Sequence, residues 1–282
     1  MEKESIVTDK KKIIVIALSA CLLYAVSAGL RSIYGIMLDV IAEETGIAYA
    51  TVSFAIAIGQ LVFGVAQPAF GVVALKKSNT YVLVVGSLMM AVGLLMIPFC
   101  STVRMLVLFL GIILPIGTGA VSFGMIMGAV TPKLGEAKAT MVSGFVNASS
   151  GMGSIVFSPI MQTAFAAVGL KITMIGFAIF TALLVPVSMI VGGKQEKENV
   201  NHSGKNKSIM PLIKRALKDK NYICLLIGFF TCGFHMAIVE THLYSQVLSY
   251  GVADSTAALA FSIYGFASVA GSLFSGFMCS KV

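Results

Sequence analysis

An arginine, a glutamate and two histidines sit inside stretches that are otherwise apolar. Arg31 lies in the first stretch, and His235, Glu240 and His242 lie in the seventh. An ionisable side chain at membrane depth is costly and faces a cavity or a partner. The planar guanidinium of Arg31 suits two-point hydrogen bonding to a carboxylate. At ~1.5 Å per residue it should stand about 27 Å along the helix from Ile13, near the outer end. A snorkelling arginine at the interface is the competing explanation. Its neighbours Gly29, Ser32, Tyr34 and Gly35 favour a packed, cavity-facing position, with Tyr34 beside the bound group. His235 and His242 are two helical turns apart and share a face, whereas Glu240 points about 140° from His235 at ~100° per residue. Histidine can relay protons near neutral pH or hydrogen-bond between helices. For Glu240 the sharpest expectation is an ion pair with Arg31. Asn147, Gln60, Gln67 and Gln162 offer amides that could bridge helices or meet a ligand. Tyr24, Tyr34, Tyr244 and Tyr264 could line a cavity, although Tyr244 also suits an interfacial belt.

These residues need membrane helices to hold them, and the chain supplies eight apolar runs. They cover approximately 13–40, 48–75, 80–100, 103–131, 138–167, 170–191, 221–249 and 255–280. Each reaches the ~20 residues a spanning helix requires. Of the 282 residues, 57% are hydrophobic and only 11% charged, against roughly 25% charged in soluble domains. The basic ends alternate. Lysines cluster before run one and after runs two, four, six and eight, and all but Arg31, Arg104 and Lys171 of the 20 Lys and Arg fall on that side. The opposite connections carry Asp39, Glu43, Glu44 and Asp254. Cytoplasmic loops retain Lys and Arg, so a cytoplasmic N-terminus and a multi-pass protein of the cell membrane are expected. The net charge of +8 is spread over loops beside apolar runs. It suits anionic lipid rather than nucleic acid. Lys10 to Lys12 before an apolar run resembles a signal peptide, but the run continues past Cys21 and is read as a signal-anchor helix. Cys21, Cys100, Cys224, Cys232 and Cys279 show no metal spacing. Phosphate loops, metal sites and catalytic triads have no counterpart, so no enzyme, cofactor or metal is expected.

One long linker, 192–220, separates six runs from two. Ser208 could cap a helix with Pro211 in its first turn. Ile209, Leu212, Ile213, Ala216 and Leu217 would then share one face, as in a helix lying on the inner leaflet. A disordered linker with chance periodicity is the alternative. The expected organisation is a cytoplasmic N-terminus 1–12, a six-helix bundle 13–191, the linker 192–220, and the first two helices of a second bundle, 221–282. A repeat supports two related halves: the shift that carries Gly46 onto Gly251 also carries Ala55 onto Ala260, Gly71 onto Gly276 and Lys76 onto Lys281. Parallel repeats of this kind occur in transporters. Six spans in the first half predict twelve in all, of which this chain has eight. In span four, Gly124 and Gly128 form a small-xxx-small motif, expected to pack closely, with Gly111, Gly117 and Gly119 nearby.

Three segments carry a family resemblance. After run two, Gly71, Lys76 and Lys77 match a glycine-and-base loop, with Leu75 in place of the acid and Ser78 in place of the second glycine. Run five carries Gly144, Asn147, Gly151 and Gly153, with Pro159 beyond, followed by Gly169, Leu170 and Lys171. Run seven carries Gly233, Phe234, His235, Glu240, Thr241, His242 and Leu243. Together these resemble the major facilitator superfamily, within it the monocarboxylate and oxalate/formate antiporter-like group. The resemblance implies an all-α, polytopic helical bundle. Its function would be secondary active transport of a small organic anion by alternating access, proton-coupled or as an antiporter. Substrate would touch Arg31, Tyr34, Asn147 and His235, protons would pass through Glu240 and His235, and Gly71 and Lys76 would form the gating loop. The expected partners are that solute and membrane lipid. The rival reading is a non-transporting truncated membrane protein, either a decayed gene product or an interaction partner.

Overall fold

The computed structural model describes residues 2–193, 215 and 217–279. Every regular element among them is helical. Stretches long and apolar enough to cross a membrane cover Lys12–Ser32, Tyr49–Lys76, Asn79–Phe99, Val103–Leu134, Lys138–Gly192, Lys220–Ser249 and Asp254–Ser275. The longest of these is two crossings. Gly169 breaks it with φ 74° and ψ 177°, a backbone state that side-chain-bearing residues avoid. The chain is therefore an all-α membrane bundle, and its eight spans follow the apolar runs within a few residues.

The breaks have local causes. In span four the backbone widens to a π-helix over Val107–Ile113 just before Pro115. Proline has no N–H and crowds the carbonyl four residues earlier, so the preceding turn loosens. Ser78 opens span three by accepting from the Tyr81 N–H at 3.0 Å. Past Gly169, the N–H of Leu170 donates to the Glu44 carboxylate at 2.8 Å. A helix start leaves such donors free and carries positive charge, so a carboxylate fits it. The two related loops agree in detail: Gly46 has φ 70° and Gly251 has φ 77°, and spans two and eight begin at Tyr49 and Asp254, the same offset.

The middle of the bundle is marked by span five. A Cβ on Gly153 would overlap the carbonyl of Ala25 on span one, and Gly29 packs against Gly153 in turn. Gly153 is central in its span, so Ala25 to Gly29 lie near mid-membrane. A ~30 Å hydrocarbon core takes about ten helical residues on either side of that level. After a break at Ile33 the chain continues helical over Tyr34–Thr45, which carries Asp39 on the acidic side.

Two expectations change. The helix of span two continues through Gly71 to Lys76, so the turn falls at Lys77 and Ser78 instead of at Gly71. A Cβ on Gly71 would meet no neighbouring element within 4 Å, and Lys76 is exposed. Gly124 and Gly128 likewise face open space. Close packing in span four falls on Gly111, Gly117 and Gly119, against Ala55, Met90 and Phe63 of spans two and three. The helix expected over Ser208 to Leu217 lies outside the described residues, apart from helical Arg215 and Leu217 in a turn.

Candidate functional site

Spans seven and eight meet the first six along two lines. On one, span eight runs antiparallel to span five. Asn147 donates to the Ser272 hydroxyl at 3.2 Å, and Ser262 reaches the Ile155 carbonyl at 3.5 Å. Between them Gly151 and Gly265 touch backbone to backbone, where a Cβ on either would strike the other's carbonyl. On the other line, residues spaced one turn apart on the first helix and its continuation face span seven. Arg31 meets Glu240, Gly35 lies against the Glu240 and Thr241 carbonyls and Tyr244, and Asp39 meets Ser245.

The Arg31–Glu240 pair is the centre of the site. Nη2 of Arg31 lies 3.1 Å from one carboxylate oxygen and 3.4 Å from the other. The side chains are 20% and 5% exposed. The Phe63 ring lies 4.2 Å from the guanidinium carbon, in the range of a cation–π contact. One nitrogen serves both oxygens, so the two-pronged alignment of arginine with carboxylate is unfilled, and Nε is buried with no hydrogen-bond partner. A carboxylate seated squarely on the fork would use a donor that Glu240 leaves idle.

Beside the pair lies a cavity of about 60 Å³, lined by Tyr24, Ser150, Ser154, Met236, Tyr264 and Ser268 as well as the two charged residues. That is room for a few waters or one small polar group. Its hydroxyls are poorly committed. Ser150 donates back to its own helix at Asn147, which leaves its oxygen lone pairs free to accept. The Tyr264 hydroxyl meets only the Met236 sulfur, at 2.8 Å, and a thioether is a weak acceptor. Arrayed around one cation and one anion, these groups suit a small solute with a charged end and hydrogen-bonding oxygens.

The other expected site residues fall elsewhere. Tyr34 is fully buried behind the pair. Its hydroxyl has the Thr118 hydroxyl as its polar neighbour, and that hydroxyl donates to the Pro115 carbonyl at 3.1 Å and keeps lone pairs to accept. Tyr34 therefore supports the site from beneath and does not line the cavity. His235 and His242 are exposed on span seven, and it is Met236 that turns toward the cavity. Asn147 is exposed and committed to Ser272. Among the tyrosines named from sequence, Tyr24 and Tyr264 reach the cavity, while Tyr244 is buried at the crossing. The lining serines gave no sequence signal, because serine is common in membrane helices. Groups of His, Cys, Asp and Glu able to hold a metal are absent among the described residues.

A membrane bundle with charged and polar side chains gathered at an internal cavity is an arrangement found in transporters. The sequence agrees: residues 20–282 match the profile of the Major Facilitator Superfamily. The chain belongs to this family of multi-pass membrane transporters. No curated protein matches it.

Proposed function

We propose that the chain moves a small organic anion of the monocarboxylate kind across the membrane, with a proton as the coupled ion. The observation that carries this reading is the Arg31–Glu240 pair, drawn from the two parts that must move against each other and bordering the polar cavity. Arg31 is neutralised at rest, so an anion has to displace Glu240. A proton arriving on Glu240 removes the counter-charge and frees the guanidinium. The substrate carboxylate then takes Nη2 together with the unused Nε, and Tyr264 and the serine hydroxyls meet the remaining oxygens. Anion and proton travel together, so the loaded site is no more charged than the empty one. Exchange of one anion for another uses the same pocket with Glu240 kept protonated. Spans one to six and spans seven and eight belong to the two moving bodies, and the lysine-rich ends face the cytoplasm of a plasma membrane. His235, exposed on span seven, has no part in this cycle.

The test is uptake of a panel of labelled carboxylates into proteoliposomes carrying the full chain, with and without an imposed pH gradient. Arg31→Lys keeps the charge and loses the fork, so KM should rise at least about tenfold, a loss of ~1.4 kcal/mol. Glu240→Gln should make uptake insensitive to the gradient while anion exchange persists. Wild-type behaviour of both variants at equal expression would reduce the pair to a structural tie.

A further inference from the structure

Span four leaves helical geometry a second time, past the π-helix and Pro115. Val121 (φ −107°, ψ 33°) and Ser122 (φ −76°, ψ 164°) separate the helices Leu114–Ala120 and Phe123–Leu134, and neither residue is proline or glycine. In a continuous helix the Ser122 N–H would donate to the Thr118 carbonyl four residues back. Here that carbonyl accepts from two other donors, the Val121 N–H at 3.2 Å and the Ser27 hydroxyl of span one at 3.3 Å. Ser122 is left over. Among the described residues its N–H finds no acceptor. Its hydroxyl, on a residue only 3% exposed, does not cap the following helix and has no hydrogen-bond partner. Ser27 lies between Ala25 and Gly29, near mid-membrane, where stranded polar groups are costly. A neighbouring helix, and not the local preference of Val121 and Ser122, therefore holds this break in place. The two halves of span four are also held differently. Leu114–Ala120 is buried and locked, with Gly117 against Met90 and Gly119 against Phe63 and Ala66. Beyond the break the buried side chains, Met125, Ile126, Ala129, Val130 and Leu134, are all apolar, so that face can shift without stranding a hydrogen bond. On the other face a Cβ on Gly124 or Gly128 would meet no neighbouring element within 4 Å. The far end is tethered through the long side chain of Lys133 to the Val191 carbonyl.

We propose that the break at Val121 and Ser122 is a two-state joint in span four, and that the Ser27 hydroxyl is the catch that keeps it broken. When span one draws away, the Thr118 carbonyl loses Ser27 and is free for the Ser122 N–H. The Val121 N–H keeps its second acceptor, the Gly117 carbonyl at 3.2 Å. Val121 and Ser122 then turn helical, and the stretch between Ser122 and the Lys133 tether is re-aimed. One hydrogen bond on the Thr118 carbonyl replaces another, so the two states are close in free energy, as a switch requires. Span one is also the helix that bears the cation of the site. Arg31 lies one turn beyond Ser27 on the same side of it, and the Tyr34 hydroxyl lies beside the Thr118 hydroxyl. Movement of span one at the ion pair is thus passed to the lysine-rich half of span four through a single residue, Thr118. The joint does not depend on which solute is carried.

The experiment needs no substrate. Only Ser53 and Ser122 are followed by phenylalanine in this chain. The full chain in lipid bilayers, carrying 13C-serine and 15N-phenylalanine, therefore gives two serine–phenylalanine correlations in solid-state NMR, and Ser122→Ala assigns them by removing one. The Cα and Cβ shifts of serine separate helical from extended backbone. Ser53, inside the helix Tyr49–Lys76, is the internal helical standard, and its unchanged signal shows that a variant has kept its fold. In the unaltered protein Ser122 should appear mainly at the extended position. Ser27→Ala should raise the ratio of helical to extended Ser122 roughly two- to tenfold, the weight of one hydrogen bond. Ser27→Thr keeps the hydroxyl and should hold Ser122 extended. The inference is overturned if Ser122 stays as extended in Ser27→Ala as in the unaltered protein, if Ser27→Thr behaves like Ser27→Ala, or if Ser122 is already helical without substitution. Anion uptake does not enter the measurement, so the joint and the transport reading stand or fall separately.

Discussion

At the scale of single residues, the molecule is organised by what a buried charge requires. Glu240 is almost fully enclosed, and its partner is supplied from 209 positions away in the chain. Removing one member of such a pair strands the other, which typically costs about 3–5 kcal/mol, whereas replacing both with apolar residues of similar shape is often close to neutral. Arg31→Met alone and Glu240→Leu alone should therefore lower the melting temperature of the purified chain in detergent, and the double variant should recover most of the loss. Additive losses in a thermal-shift assay would show that the two side chains do not act as a pair. This pairing was legible in the sequence, because ionisable residues of opposite sign in two apolar runs have little choice of partner. The orientation of His235 was not. Its type and depth resemble those of Glu240, and only the packing of span seven decides that Met236 and Glu240 face the cavity while His235 turns away.

At the scale of elements, the glycines divide into those that set helix contacts and those that do not. Gly153 is pressed onto the backbone of Ala25, so even a methyl group must move span one or span five. Gly153→Ala should destabilise by about 1–3 kcal/mol, the usual penalty for overpacking. Gly124 faces open space. Gly124→Ala should be neutral or stabilising by up to about 1 kcal/mol, since glycine weakens a helix interior. Equal melting temperatures for the two variants would contradict the packing at Gly153. The sequence motif around Gly124 pointed the other way, because spacing identifies a small face without telling what lies opposite it. Helix existence was easy to read, because apolar length and lysine punctuation are local signals. The break at Ile33 was not. Ile33 is itself neither proline nor glycine, and the flanking Gly29 and Gly35 read equally well as close-packing positions.

At the scale of the whole molecule, the turns at Gly46 and Gly251 repeat one loop in each part, on the face opposite the lysine-rich ends. Cysteine probes at Ala48 and Tyr250 should react with an impermeant reagent from one side of intact cells, and a probe at Lys77 only after the opposite side is opened. Labelling of all three from the same side would undo the arrangement of spans. Another feature bears on how the molecule is built. The Glu44 carboxylate closes onto the Leu170 N–H, joining the end of the first helix to the start of the sixth span. During synthesis Glu44 has left the ribosome long before Leu170 exists. This tie between the two ends can therefore form only once the sixth span has entered the membrane. Glu44→Gln should consequently slow maturation more than it weakens the finished bundle, read as a longer protease-sensitive phase in pulse–chase with near-normal resistance at the end.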